Sequence, residues 1–300
     1  MTLHIIGAAV GSGGVDARAA LGPKVLKDSP AFVRCVKDYP NIQWNIIFEE
    51  AKAQTKLNCL VPLFGALAKE VKNIVALGER FCVIGGDHSA AIGTWSGAAV
   101  AWKERCKNTH DKNQDLGLIW IDAHEDAHTF TTTHSGNIHG MPVSALLGEG
   151  HEKLVSISDN TPKIKPQNIC LIGLRSYEPE ENALLERLGV CRYFIDEVLE
   201  RGFEAVLIEA RDKLAASTGA YGVTLDLDGL DPLEIPAVST PVPGGISPVD
   251  CLKALKKLKQ DKQWIGFELM EFNPANDKDN KTAEWMVEAL KIFSNFGEKA

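Results

Sequence analysis

The sequence of 300 residues lacks most features that mark membrane, secreted or nucleic-acid-binding proteins. No apolar run approaches the roughly 20 residues that a bilayer-spanning helix needs. The first ten residues lack the basic segment and small-residue cleavage site of a signal peptide. Lysine and arginine number 32 against 40 acidic residues, and the net charge of −8 disfavours nucleic acid or an anionic membrane as the main partner. We therefore expect a cytoplasmic protein with no nucleic-acid or membrane partner.

Cysteine is present, but not in a pattern that indicates disulfides or a zinc site. The seven cysteines are odd in number and widely spaced, and none forms a C-x-x-C pair. Disulfides persist mainly in oxidising compartments. Ordinary buried thiols in a reducing compartment are therefore expected.

Short apolar runs alternate with helical stretches along the chain. The runs have the length of buried strands and lie at 3–10, 44–48, 81–84, 116–121, 168–173, 221–227 and 264–270. Helical stretches lie, for example, at 61–77, 183–188, 197–216, 249–259 and 282–293. This alternation predicts an α/β fold with a mostly parallel sheet covered on both faces. No linker or composition shift divides the chain, so one domain over 1–300 is expected.

Three polar motifs stand at or just past the ends of predicted strands. They are Gly-Gly-Asp-His-Ser at 85–89, Asp-Ala-His-Glu-Asp at 122–126 and Asp-Leu-Asp-Gly-Leu-Asp-Pro at 226–232. Right-handed crossovers bring the carboxyl ends of parallel strands to one edge, so the motifs are expected to meet there. Alternate residues of an extended chain share a side, so Asp122 can converge with His124. The same spacing joins Asp226 to Asp228, whereas Asp126 needs a turn to reach them.

Together the motifs predict a metal centre. Each motif alone could be a helix cap, a solvated turn or a packed histidine. Jointly, four carboxylates at one end of an interior sheet would repel unless a positive charge offset them. A divalent metal supplies that charge, and donors without nearby cysteine suit manganese, or else iron, cobalt, nickel or zinc. Six side chains shared by two ions leave room for a bridging water that becomes a hydroxide near neutral pH. The predicted reaction is metal-assisted hydrolysis, with a structural two-metal cluster as the alternative.

These motifs and several others resemble the ureohydrolase family and, within it, the arginases. The further matching segments are Gly22-Pro23, the run 120–142 around the second motif, Ile172-Gly-Leu-Arg175, the run 236–245 and Met270-Glu-Phe-Asn-Pro274. The resemblance implies a three-layer αβα sandwich, two Mn²⁺ per subunit and a homo-oligomer, either trimer or hexamer. It also implies two ligand sets, which are His88, Asp122, Asp126 and Asp226 for one ion and Asp122, His124, Asp226 and Asp228 for the other.

The resemblance further implies catalytic roles. His139, in Ser-Gly-Asn-Ile-His-Gly, is the implied proton shuttle to the leaving amino group, a task that suits an imidazole. Glu271 is the implied carboxylate that receives the substrate guanidinium. Asp126 counts among the catalytic residues as well as the ligands. Attack on the guanidinium carbon releases urea, and L-ornithine is the second product if the substrate is L-arginine.

The residues expected to bind the rest of the guanidino substrate match the family less evenly. They are Thr133, Ser135, Asn137, Glu178, Thr240 and His128. His128 stands where arginases have an asparagine, and Ser176 and Glu178 stand where they have two aspartates. Agmatine or another guanidino compound is therefore the alternative substrate.

Hypotheses from other classes have less support. A non-catalytic scaffold is expected to lose ligands, and all six are present. The run Gly-Ser-Gly-Gly at 11–14 lacks the G-x-G-x-x-G spacing of a dinucleotide site and is better explained as a loop near the active-site rim. Ser89 lacks the nucleophile-elbow sequence of a serine hydrolase.

Overall fold

A parallel eight-stranded sheet lies at the centre of the computed structural model, which describes residues 2–110 and 113–294. Its strands are β1 Leu3–Ala9, β2 Ile42–Glu49, β3 Arg80–Gly85, β4 Leu116–Ile121, β5 Ile169–Leu174, β6 Cys191–Phe194, β7 Ala220–Asp226 and β8 Trp264–Met270. Their spatial order is β2-β1-β3-β8-β7-β4-β5-β6, and each neighbouring pair is parallel. The predicted α/β class is confirmed, whereas the short edge strand β6 was not predicted from the sequence.

Helices connect these strands and differ from the sequence prediction at one break. Within the described residues they are α1 Gly22–Asp28, α2 Pro30–Asp38, α3 Lys56–Ala76, α4 Ala91–Thr109, α5 Pro142–Leu146, α6 Glu152–Val155, α7 Pro179–Leu188, α8 Ile195–Arg201, α9 Phe203–Ser217, α10 Pro248–Leu258 and α11 Lys281–Ser294. The prediction of one helix over 197–216 was wrong. Gly202 has a φ of 84°, which interrupts the right-handed helix and separates α8 from α9.

Two apolar clusters cover the two faces of the sheet. Strand side chains alternate between them, so that Ile5 and Ile84 pack with α1, α2 and α8 to α11, while Ile6 and Val83 pack with α3 to α7. The inner strands β3, β4, β5 and β7 are buried at every residue. Burial on both faces explains why these strands read as continuous apolar runs.

The topology places four strand ends side by side. Strands β3, β8, β7 and β4 are consecutive in the sheet and parallel, so the residues that follow them meet at one edge. Three of these strands lead into the motifs at 85–89, 122–126 and 226–232, and the fourth leads into Glu271. None of the helices in the described part of the chain is long and apolar enough to span a membrane.

Candidate active site

The first group of converging side chains surrounds His88. Its Nδ1 lies 2.9–3.1 Å from one oxygen of each of three carboxylates, those of Asp122, Asp126 and Asp226. His88 is 1% exposed and its ring stacks on Trp120, with 4.3 Å between the centroids. The structure therefore brings together the four residues that the sequence analysis assigned to one metal ion.

The second group shares a carboxylate with the first. Nδ1 of His124 lies 3.5 Å from Asp122 and 3.2 Å from Asp228. Thr240 donates its hydroxyl at 2.9 Å to Oδ2 of Asp228, the same oxygen that lies beside His124. Asp122 thus stands between the two groups, as a bridging ligand must. We call the six His and Asp side chains of both groups the floor.

The local backbone conformation orients the side chains of the floor. Asp122 accepts the His124 N–H at 2.7 Å, and Asp226 accepts the Asp228 N–H at 2.8 Å, so each strand end turns around its own carboxylate. Asp126 has a φ of 49°, which provides the turn that returns this residue toward His88. A non-glycine residue in the left-handed region is strained, and such strain often accompanies functional sites.

Hydrogen bonds on the far side of His88 set its orientation. Thr224 donates its hydroxyl to the buried Glu268 carboxylate at 2.6 Å, so its oxygen can only accept from Nε2 of His88, at 3.2 Å. Nε2 therefore carries a proton, which leaves Nδ1, the ring nitrogen beside the carboxylates, as the one that can bind a metal ion. No hydrogen-bond partner of Nδ1 occurs in the described parts of the chain.

Charge and burial make the floor suited to a cation. Burial, followed by the charge of Asp122, raises the pKa of Asp126 to about 6. Burial and the charges of Asp228 and Asp122 raise the pKa of Asp226 well above its usual range. Buried carboxylates this close together repel one another unless a positive charge offsets them. The floor therefore fits divalent metal ions.

Glu271 and His139 form a second functional pair beside the floor. Nδ1 of His139 lies 3.0 Å from Oε1 of Glu271, which also accepts the His88 N–H at 3.0 Å. Burial would lower the pKa of His139, but the hydrogen bond and charge of Glu271 raise it to about 9. Glu271 has a φ of 62° and is 1% exposed. Its Oε2 is buried without a hydrogen-bond partner in the described residues.

The glycine run at 11–14 supports this pair and holds no nucleotide motif. Gly14 donates its N–H to Asp87 at 3.0 Å, and the Gly13 carbonyl accepts the N–H of His139 at 3.1 Å. A Cβ on Gly13 would lie 2.7 Å from the Asp87 carboxylate. The loop therefore needs glycine to approach the 85–89 motif closely.

A cavity of about 210 Å³ opens above the floor. All six predicted substrate-binding residues line it. We call the mouth those that lie away from the floor, together with the unpredicted Glu181, namely His128, Thr133, Ser135, Asn137, Glu178 and Glu181. His139 and Thr240 also line the cavity, whereas Glu271 lies behind the wall that His139 forms. The structure thus places all the predicted substrate-binding residues around one space.

The mouth contains a cluster that the sequence analysis recognised only in part. Nε2 of His128 lies 2.7 Å from Glu178 and 3.3 Å from Glu181. Burial lowers the pKa of His128 and raises the pKa of Glu181 to about 8. Glu181 was missed because in sequence it is one acid among several in the first turn of α7. Only the docking of α7 against the 122–126 motif buries it, where it accepts the Ala127 N–H at 3.0 Å.

Arg175, part of the matching Ile-Gly-Leu-Arg segment, stabilises the loop that carries Thr240. Its guanidinium donates to the backbone carbonyls of Asp228 at 2.6 Å and Val242 at 2.8 Å. It makes further bonds to Leu230 and Pro243. The arginine therefore joins the end of β5 to the loop after β7 and does not line the cavity.

Comparison with known proteins agrees with the geometry. The model of the Arginase family matches residues 1–293. The chain belongs to the arginase family. The arginase of Bacillus subtilis (strain 168) is 35% identical over 299 residues, which is 97% of this chain and 96% of that relative. The arginase of Brevibacillus brevis is 39% identical over 252 residues, 84% of this chain and 80% of that relative.

Solved structures of the arginase family share the fold. The crystal structure of arginase from Bacillus subtilis matches with a TM-score of 0.88 and 34% identity, covering 100% of this chain and 99% of the other. The predicted resemblance to ureohydrolases is confirmed, and the chain is an enzyme of that group. Membership of the arginase family implies a divalent metal centre, and the floor offers donors that fit one.

Proposed function

We propose that this arginase-family enzyme hydrolyses L-arginine to L-ornithine and urea, with two Mn²⁺ ions per subunit. The observation that carries the proposal is similarity to arginases over nearly the whole chain, in a protein whose six candidate metal ligands converge. Oxygen and nitrogen donors without sulfur suit manganese.

The floor residues would hold the ions in two sets with Asp122 and Asp226 as bridges. His88 and Asp126 complete one set, and His124 and Asp228 complete the other. When bound, the two metal ions would supply a hydroxide near neutral pH and offset the charge of the carboxylates. Thr240 donates its hydroxyl to Oδ2 of Asp228, the oxygen that also faces His124, and so helps to keep that carboxylate in place.

Glu271 and His139 act on the guanidinium. Glu271 does not line the cavity, so the guanidinium must reach past His139 to donate an N–H to the unpartnered Oε2 of Glu271. There a fixed carboxylate turns the planar group so that its carbon faces the floor. His139 is protonated below about pH 9 and lies next to this carboxylate. As the bond from carbon to the side-chain nitrogen breaks, His139 gives that nitrogen a proton.

The mouth binds the remainder of the substrate. Glu178, near His128, accepts an ammonium group, and the hydroxyls of Thr133 and Ser135 with the amide of Asn137 bind a carboxylate. Ser176 contributes a hydroxyl where a charge is usual in the family, so the ammonium depends chiefly on Glu178.

Urea release by the purified, manganese-loaded protein tests the proposal. L-arginine, agmatine and 4-guanidinobutyrate are compared at equal concentrations, with free ornithine or amine measured alongside urea. We expect urea and ornithine from L-arginine in preference to the others. Urea from agmatine instead would assign a different substrate, and no urea from any of them would refute guanidinium hydrolysis.

We also propose a homo-oligomer, either trimer or hexamer, located in the cytoplasm. The family resemblance supports the assembly, and the pattern of unpaired thiols supports a reducing compartment. Light scattering of the metal-loaded protein should give a mass of three or six times 32.6 kDa. A monomer would contradict the proposed assembly.

A further inference from the structure

The loop at 133–137 is arranged to present hydrogen-bond donors to the cavity. The hydroxyl oxygen of Thr133 accepts the Gly136 N–H at 3.1 Å, and that of Ser135 accepts the Asn137 N–H at 3.2 Å. A hydroxyl whose oxygen accepts a backbone N–H still has its O–H to donate. Both hydroxyls line the cavity. They lie 3.4 Å apart, so one can donate to the other, which leaves at least one O–H for an acceptor such as a carboxylate.

Lys56 orients the Asn137 amide, so that this side chain also presents hydrogen-bond donors. Nζ of Lys56 donates to Oδ1 of Asn137 at 2.6 Å, although 81 residues separate them in sequence. An amide that accepts through its oxygen carries its two N–H donors at the other end. The Asn137 side chain, which also lines the cavity, therefore turns its donors away from Lys56.

The start of α3 places Lys56 at the loop. Lys56 is the first residue of this helix, and the hydroxyl of Thr55 caps the helix by accepting the Asn58 N–H at 3.2 Å. The ammonium adds a positive charge beside the 133–137 loop, whereas the carboxyl groups of the mouth, those of Glu178 and Glu181, lie next to His128. The mouth thus offers carboxylates for an ammonium and, through Lys56 and the loop, donors for a carboxylate.

We propose that Lys56 is a specificity-determining positioning residue: it fixes the Asn137 amide with its donors toward the cavity and adds the charge that attracts a substrate carboxylate. The inference rests on the proposed function at the same site. It accounts for a preference for a guanidino α-amino acid over agmatine, which has no carboxylate.

Lys56→Met removes the charge and the hydrogen bond. We expect the KM for L-arginine to rise about fivefold with kcat within about twofold, the size of effect usual for one exposed charged contact. Lys56→Arg should restore most of the affinity, because it keeps a cationic donor. Lys153→Met is the matched control, since Lys153 also donates to an asparagine side chain, Oδ1 of Asn58 at 3.4 Å, but Asn58, unlike Asn137, does not line the cavity.

Competitive inhibitors separate carboxylate recognition from general charge. In Lys56→Met the inhibition constant of L-ornithine should rise about fivefold, while that of 1,4-diaminobutane, which lacks the carboxylate, stays unchanged. The double variant Lys56→Met with Asn137→Ala should lose little more than Asn137→Ala alone, because Lys56 acts largely through that amide.

Unchanged constants for L-arginine and L-ornithine in Lys56→Met would overturn the inference. An equal loss for 1,4-diaminobutane would also overturn it, because Lys56 would then act without regard to the carboxylate. Failure of the proposed function is seen separately, as the parent enzyme releasing no urea from L-arginine.

Discussion

The floor and the mouth of the cavity use charged residues in opposite ways. On the floor, His88 is 1% exposed and Asp122 is fully buried. In the mouth, the Glu178 side chain is 48% exposed, although His128 and Glu181 next to it are buried. Buried like charges need a counter-ion, whereas exposed charges are screened by water and contribute little each. In the function proposed above, the floor would determine whether reaction occurs and the mouth which molecule reacts.

The two regions also differ in the structural elements that carry their residues. Floor residues follow β3, β4 and β7, whose bounds are set by the sheet. Mouth residues lie on the segments 128–137 and 176–181, where helix docking and side-chain pairs decide their positions. Substitutions in the two regions should consequently separate chemistry and metal retention from substrate choice.

The largest effect is expected from breaking the floor. Asp122→Asn removes the charge shared by both ligand groups and should abolish urea release, a loss of at least about 1,000-fold. Chelation of the parent should likewise abolish activity and lower Tm, because bound metal offsets the carboxylate repulsion. Both effects are measured by urea release and thermal unfolding with and without Mn²⁺.

Asp231→Asn is the control for the floor. It lies in the same acidic motif, but its Oδ1 accepts the Leu233 N–H at 3.0 Å and it belongs to neither ligand group. This variant should keep activity and the rise in Tm with metal. Full activity of the metal-free parent would refute the two-metal hypothesis.

A smaller effect is expected at His139, which lies between the two regions. His139→Asn should lower kcat about 100- to 10,000-fold, the usual contribution of a general acid, with little change in KM. The rise in Tm with Mn²⁺ should persist, because His139 is not a proposed ligand. His134→Asn, an exposed histidine of the cavity wall, is the control, and equal kcat losses in both variants would argue against proton transfer by His139.

The smallest effect is expected at Glu181, as a pH dependence of stability. Burial holds its pKa at about 8 in the folded protein, compared with 4.5 for an ordinary glutamate, so the folded state binds its proton more tightly. The protonated Glu181 carboxyl contributes its full amount to the free energy of unfolding below about pH 4.5, and this contribution is lost as the pH rises through about 8. Thermal unfolding from pH 5 to 9 should show a shallower fall of Tm in Glu181→Gln than in the parent.

Glutamine also leaves one backbone donor without an acceptor, since both oxygens of Glu181 accept, from Ala127 at 3.0 Å and Glu178 at 3.2 Å. That loss lowers Tm at every pH, so the slope is the quantity to compare. Parallel Tm profiles of the parent and Glu181→Gln would mean that Glu181 does not retain its proton.

Much of the floor could be predicted from residue order alone. Asp122 with His124, and Asp226 with Asp228, are two residues apart at the ends of apolar runs, and such spacing points both members of a pair to one side. Parallel strands then bring the pairs to one edge. Strand β4 has the predicted limits, but both pairs lie where the chain turns at the strand end, and Asp228 belongs to a short 3-10 helix. The order of the strands, and not an extended backbone, therefore accounts for the convergence.

Other features could not be predicted because they depend on contacts between distant segments. The break at Gly202 is a local exception, a glycine inside an otherwise continuous helical pattern. Glu181 is buried only because α7 docks on the 122–126 motif, and Arg175 joins two loops that are far apart in sequence.

The sequence by itself determined the chemistry of this protein, because the donor types, their spacing and the strand ends that carry them are local properties of the chain. The tertiary structure alone decided which charged and polar side chains meet at the mouth. It brought Lys56 to Asn137 across 81 residues and enclosed His128 between Glu178 and Glu181. The physical reason is that burial, and the long-range pairing of exposed side chains, arise only when separate elements pack together.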